Sequence, residues 1–145
     1  MPAFTLDQFI PYRLSVASNA VSSRIAQNYR KRFGLKIAEW RLIAILAESD
    51  AMTPQGLALA TRMDKISVSR AASALTVRGL VAAIDNPDDG RSHILTLTPD
   101  GHALYAQILP LAMETEAQLL ASLSAEERMT LDALLRRIED AAETA

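Results

Sequence analysis

One stretch, NPDDGRSHILTLTPDG at residues 86–101, limits the folds open to this chain more than any other feature. It holds a Gly-bearing turn with Asp88, Asp89 and Arg91, and behind the turn Ile94, Thr96 and Thr98 alternate with Leu95 and Leu97. That period of two belongs to a strand. Elsewhere the chain carries helical spacing, so the fold has to seat one short β arm on a helical body.

The helices announce themselves by periodicity and caps. Pro11 suits a first turn, and Leu14, Ala17, Val21, Ile25 and Asn28 or Tyr29 recur at helical spacing up to Gly34, predicting one long amphipathic helix. A second covers residues 37–48, with Trp40, Ile43, Ala44 and Ala47 along one face, and Asp50 and Ala51 break it. Thr53 before Pro54 starts a third, ending near Arg62. Asp64 caps a fourth, which runs to Arg78 and stops at Gly79. In that fourth helix Val68, Ala71, Ala72 and Leu75 form the buried stripe, and rotation of 100° per residue turns Ile66, Ser69, Arg70, Ser73, Ala74 and Val77 outward. The outer surface is thus small side chains around one arginine.

Residues 80–84 read as a first strand, 85–92 as a loop and 93–97 as a second strand. Thr98 and Pro99 repeat the cap signal for a fifth helix, with Ala103, Leu104, Ile108, Leu111 and Leu119 on its apolar side and Pro110 expected to kink or break it. Ser124 with Glu127 makes a capping box for a sixth, lined by Leu131, Leu134, Leu135 and Ile138.

Composition narrows the function classes. The chain has 145 residues, half of them hydrophobic but only 5% aromatic, so one core of Leu, Ile, Val and Ala is expected, which favours packed helices. There is no cysteine, which excludes disulfides, thiolate metal sites and a thiol nucleophile. The N-terminus lacks a basic start before an apolar stretch, and no apolar run approaches the roughly 18 residues that span a bilayer; a soluble, cytoplasmic protein without a membrane partner is expected. His93 and His102 have no ligand pattern around them, so no metal is expected, and no phosphate loop, nucleophile elbow or His–acid spacing points to a cofactor or a catalytic residue. A net charge of −2 argues against nucleic acid until its distribution is counted. Residues 1–99 hold 12 Lys or Arg against 8 acids, whereas residues 100–145 hold 3 against 9. Charge so segregated suits a protein that presents one end to a polyanion.

Two short helices joined by a tight turn and followed at once by a hairpin form the layout of a winged helix-turn-helix, a mainly α (α+β) fold whose long first and last helices form a dimerisation lobe. In that layout the second helix of the pair enters the major groove of double-stranded DNA, and the hairpin reaches the neighbouring backbone or minor groove. Arg70 offers a donor fork to guanine or phosphate, and Arg91 suits a narrow minor groove. Lys65, Ser67 and Ser69 serve either to cap and solvate the helix start or to touch DNA. Ser73 and Arg78 complete the DNA-facing set, and Gln55 is a donor or a plain surface residue.

These residues resemble the multiple antibiotic resistance regulator (MarR) family of bacterial transcription factors over essentially the whole chain. The likeness is carried by FGL and EWRLIAIL within 33–46, LALATRMDKISVSRAASALTVRGLV at 57–81, and DNPDDGRSHILTLTPDG at 85–101. The last is the most specific, with Asp89, Arg91, Leu97, Thr98 and Gly101 in the family's order. The resemblance implies that Asp89 orients Arg91 for insertion and that Lys65, Ser67, Ser69 and Arg70 begin the recognition helix. The chain departs from the pattern where Ala82 and Ala83 follow GLV, in place of a basic residue.

The resemblance also implies a homodimer with intertwined first and last helices, which the unpartnered apolar stripes support independently. The expected organisation is a single domain, 1–145, with dimerisation helices at 1–33 and 99–145 and a DNA-binding lobe at 34–98. Relatives bind phenolic or carboxylate effectors near the junction of these parts, where Tyr12, Arg13 and Arg41 are either an effector site or ordinary salt-bridging groups, and Trp40 either packs the core or offers a ligand platform. The reading is a ligand-responsive repressor, not an enzyme, on a pseudo-palindromic operator. The alternative is a winged-helix protein-interaction adaptor that does not bind DNA.

Overall fold

Local chemistry starts and stops most of the helices. In this computed structural model, which describes residues 3–144 apart from the side chains of Asp89, Arg91 and Ser92, the chain runs through a 3-10 turn (Leu6–Gln8), α1 (Ile10–Ala26), α2 (Arg30–Phe33), α3 (Ile37–Ser49), β1 (Ala51–Met52), α4 (Pro54–Thr61), α5 (Lys65–Val77), β2 (Val81–Asn86), β3 (Asp89–Leu97), α6 (Pro99–Leu119) and α7 (Ala125–Thr144). The Thr53 hydroxyl accepts the Gly56 N–H at 3.0 Å to open α4, and the Ser124–Glu127 capping box that opens α7 closes in both directions, at 2.9 and 3.1 Å. Gly79, at φ +74°, ends α5 in the left-handed region, and the next N–H, of Leu80, reaches back to the Leu75 carbonyl at 3.0 Å.

The single helix predicted up to Gly34 is divided instead into α1 and α2. The N–H groups of Asn28 and Tyr29 bond only three residues back, to Ile25 and Ala26 at 2.9 and 3.1 Å, and this tightening closes α1. Tyr29 then turns into the core, and its carbonyl takes both the Phe33 and the Leu35 N–H at 3.2 Å. Burying a large ring, stacked on Trp40 at 5.8 Å between centroids, outweighs the propensity to continue the helix. Gly34 does end the second piece, at φ +66°.

The apolar stripe of α3 is also broader than its spacing suggested. Leu42, Ile43 and Leu46 are completely buried, whereas Trp40, Ala44 and Ala47 are only partly covered. The helix packs against α4, α5 and β3, and a helix covered on several sides has no single buried edge. In α5 the expected stripe holds: Val68, Ala71 and Leu75 are buried and Ala72 is half-buried.

The hairpin is longer and its turn tighter than predicted. β2 and β3 pair antiparallel from Val81↔Leu97 out to Asn86↔Asp89, leaving only Pro87 and Asp88 as the turn, so most of the expected 85–92 loop is strand. The Asn86 side chain accepts the Asp88 N–H at 3.0 Å, which folds the turn locally, and the register shifts between Asp85 and Asn86. A third strand was not foreseen. β1, in the break after α3, pairs with β3 through Ala51↔Thr96 and Met52↔Leu95, giving the order β1-β3-β2. Leu80, Val81, Leu95 and Leu97 bury the sheet's base, while Ile84 stands about half exposed further out along the wing.

Pro110 does not break α6, which continues through it. The chain divides after Ala112 into two compact units. The core described above, with Leu104 and Ile108, lies in the first. In the second, no described side chain of α7 is buried, and Leu131, Leu134, Leu135 and Ile138 form one helical stripe, each 38–44% exposed. Val16 and Val21 of α1 are similarly uncovered.

Candidate nucleic-acid interface

The turn that joins α4 to α5 is three residues long and begins at Arg62, whose φ of 57° places a non-glycine residue in the left-handed region. Asp64 then caps α5 twice over. Its carboxylate accepts the Ser67 N–H at 2.8 Å and the Ser67 hydroxyl at 2.7 Å. The backbone bond is the main cause, and the hydroxyl bond the second, that hold the carboxyl below its ordinary value of 3.8. A group lowered in this way contributes stability above its unfolded-state pKa and loses that contribution as pH falls through its folded-state value.

The outward face of α5 stands as the 100° rotation predicted. Lys65, Ile66, Ser69, Arg70, Ser73 and Val77 are exposed, and Ala74 is half-buried. Ser67 is half-buried with its hydroxyl donated to Asp64, so it builds the cap. Arg70 is therefore a single guanidinium amid serines and alanine on that face. Gln55 is exposed at the start of α4.

Arg78 lies differently from the other members of the predicted set. Its Nη2 donates to the Phe33 carbonyl at 2.7 Å and its Nη1 to the Gly34 carbonyl at 3.3 Å, so its fork is spent on the C-terminal end of α2. Asp89 and Arg91 sit on β3 next to the turn, but their expected pairing lies outside the described side chains.

The β2–β3 hairpin is pinned to the end of α5 by Thr98. Its hydroxyl donates to the Gly79 carbonyl at 2.6 Å and accepts the Gly101 N–H at 3.1 Å, while its own N–H donates to the Leu80 carbonyl at 3.1 Å. One residue thereby ties the stop of α5, the end of β3 and the start of α6. Gly101 is required by the same junction, because a Cβ there would be driven into the Leu80 carbonyl oxygen.

Of the proposed effector residues, Trp40 is sandwiched between Tyr29 and Tyr105, at 5.8 and 5.9 Å. Burial pushes the Tyr29 phenol above its ordinary value, with the nearby positive charges of Arg41 and Arg30 acting in the opposite sense. Arg13 pairs with Asp7 at 3.1 Å. Among the described residues no ring stack, hydrogen bond or ion pair joins Tyr12 or Arg13 to Trp40 or Arg41. His93 and His102 are both exposed, and the described residues contain no cluster of three metal-ligating side chains.

Comparison with known proteins places this geometry. The MarR family pattern matches residues 33–92. The homoprotocatechuate degradative operon repressor of Escherichia coli is 31% identical over 105 residues, 72% of this chain and 71% of that protein. Among solved structures, BpsR of Bordetella bronchiseptica, described for regulation of its DNA binding by 6-hydroxynicotinic acid, superposes with a TM-score of 0.88 at 25% identity, covering 96% of this chain and 99% of the other. A mutant MarR from E. coli complexed with operator DNA superposes with a TM-score of 0.81 at 25% identity, covering 94% and 99%.

Proposed function

This chain belongs to the MarR family of transcriptional regulators, and from that membership we propose that it binds a pseudo-palindromic operator as a homodimer and acts as a repressor released by a small aromatic or carboxylate molecule. The observation that carries the reading is the exposed face of α5, with Arg70 alone among small side chains beside a wing fixed by Thr98. Phosphate contacts set the register of such a helix on the duplex, and base edges in the major groove supply the sequence. In this reading Arg70 meets a base edge, Lys65, Ser69 and Ser73 border the groove, and Arg91, oriented by Asp89, reaches the minor groove.

The partly exposed apolar residues Val16 and Val21 on α1 and Leu131, Leu134, Leu135 and Ile138 on α7 support the dimer, since apolar stripes of this kind are what a twofold mate would cover. Two such chains about a twofold axis present their α5 helices one duplex turn apart. No helix among the described residues is long and apolar enough to cross a membrane, and the protein works where its operator is, in the cytoplasm.

For the effector we favour the neighbourhood of Arg41, whose guanidinium would pair with the carboxylate of an aromatic acid; the indole of Trp40, stacked between Tyr29 and Tyr105, lies next to it in sequence and serves as the reporter. Trp40 is the only tryptophan, so its emission reports on that place directly. Titration with a series of hydroxylated aromatic acids should quench it and weaken operator binding together, by roughly 5- to 150-fold at saturation. Unchanged emission and unchanged affinity across the series remove the effector from the account. The adaptor reading keeps one observation, the apolar Ala82 and Ala83 where a cation would suit DNA, and it requires that no duplex be retained at all.

A further inference from the structure

Residues 24–41 carry six Lys or Arg and one acid, Glu39, and they precede both the helix pair and the wing. Lys36 lines a shallow groove together with Ser67 and Arg70 of α5. That groove shares Lys36 and Ala38 with a second open depression, lined by Arg30 and Gly34. Arg30, Lys36 and Arg70 therefore border a track of two open depressions that meet at Lys36 and Ala38. Glu39 also lines it, but this residue is only 7% exposed and its carboxylate accepts the Lys36 backbone N–H at 3.1 Å, which caps α3. The track remains cationic on balance.

Among the described residues no ion pair engages Arg30 or Lys36. With Glu39 the one acid beside them, these cations still repel one another on balance, and a polyanion relieves that repulsion. Arg78 supplies the remaining geometry. From the end of α5 it grips the Phe33 and Gly34 carbonyls, so the helix that offers Arg70 also holds the turn between Arg30 and Lys36.

We infer that Arg30 and Lys36 bind backbone phosphates flanking the base-reading helix, and that Arg78 is a positioning residue that holds this second cationic row in place. The inference rests on the operator-binding reading above and extends the interface beyond the helix-turn-helix and wing. A strongly hydrated ammonium at Lys36 suits a phosphate as a point charge, without base preference.

The test is the salt dependence of binding to the protein's own selected operator. Each phosphate contact contributes about 0.9 to the slope of log affinity against log salt, and a two-chain complex counts it twice. Lys36→Gln and Arg30→Gln should therefore each flatten the slope by about two while base preference is kept, with melting temperatures at the wild-type value. Arg78→Lys keeps the charge but not the fork, and it should weaken binding as much as Arg78→Ala does, by about tenfold. Wild-type slopes in both glutamine variants, or wild-type affinity in Arg78→Lys, would overturn the inference while leaving operator binding intact. A wild-type protein that retains no duplex sinks the operator reading, and the inference with it.

Discussion

Arg70→Ala is expected to cost the dimer about 2–6 kcal/mol of operator affinity, on the order of 30-fold to 10⁴-fold, because a bidentate arginine–guanine pair is worth roughly 1–3 kcal/mol and is lost twice. No second forked donor stands on the outer face of α5 to replace it. Ser69, Ser73 and Ala74 are short, and Ser67 is committed to Asp64. Because Arg70 is exposed, the substitution leaves the core untouched, and melting should stay within about 0.5 kcal/mol of wild type. Arg70→Lys separates charge from geometry: it should retain most binding to an unrelated duplex and lose most preference for the operator. Anisotropy titrations of both duplexes at one fixed salt concentration check this. Equal operator affinity in Arg70→Ala would remove the arginine from the interface.

The second large effect falls on stability. Gly101→Val should destabilise the fold by about 3 kcal/mol or more and lower the melting temperature by about 10 °C. A side chain at 101 meets the Leu80 carbonyl, which is backbone and already receives the Thr98 N–H at 3.1 Å. Relief by movement would break the bond that joins wing to recognition helix. Gly90, on the wing, has nothing within 4 Å of its would-be Cβ, so Gly90→Ala is the control, expected within about 0.5 kcal/mol of wild type. Thermal circular dichroism on the two variants decides it. A Gly101→Val protein that melts like Gly90→Ala would contradict the close approach.

What could be read from the residues alone, and what could not, divides by range. Caps at Thr53, Asp64 and Ser124 and the stop at Gly79 are bonds within a few residues, so their side-chain types already specify them. The face of α5 was legible for the same reason, since helical rotation follows from position along the chain. Tyr29 was not legible as a break, because its reason is the ring of Trp40, eleven residues on, and a core assembled from elsewhere. β1 is two residues long and exists only through β3, far too short for an alternation to register.

At the interface the same limit applies to Arg78. As a basic residue at the end of a recognition helix it looks like another DNA contact, and its carbonyl partners lie 44 and 45 positions back in the chain. The basic run from Arg24 to Arg41 is only part of the positive balance of residues 1–99, and its connection to Arg70 needed the groove lined from α3 and α5.

The functional claims depend on two copies of α5 and its wing being held so that both read one face of a duplex. Selection of bound duplexes from a random library by the purified protein measures this most directly. The account predicts enrichment of an inverted repeat with half-site centres about 10 base pairs apart, retained by two chains per duplex. No enrichment, or an asymmetric site held by a single chain, would contradict it.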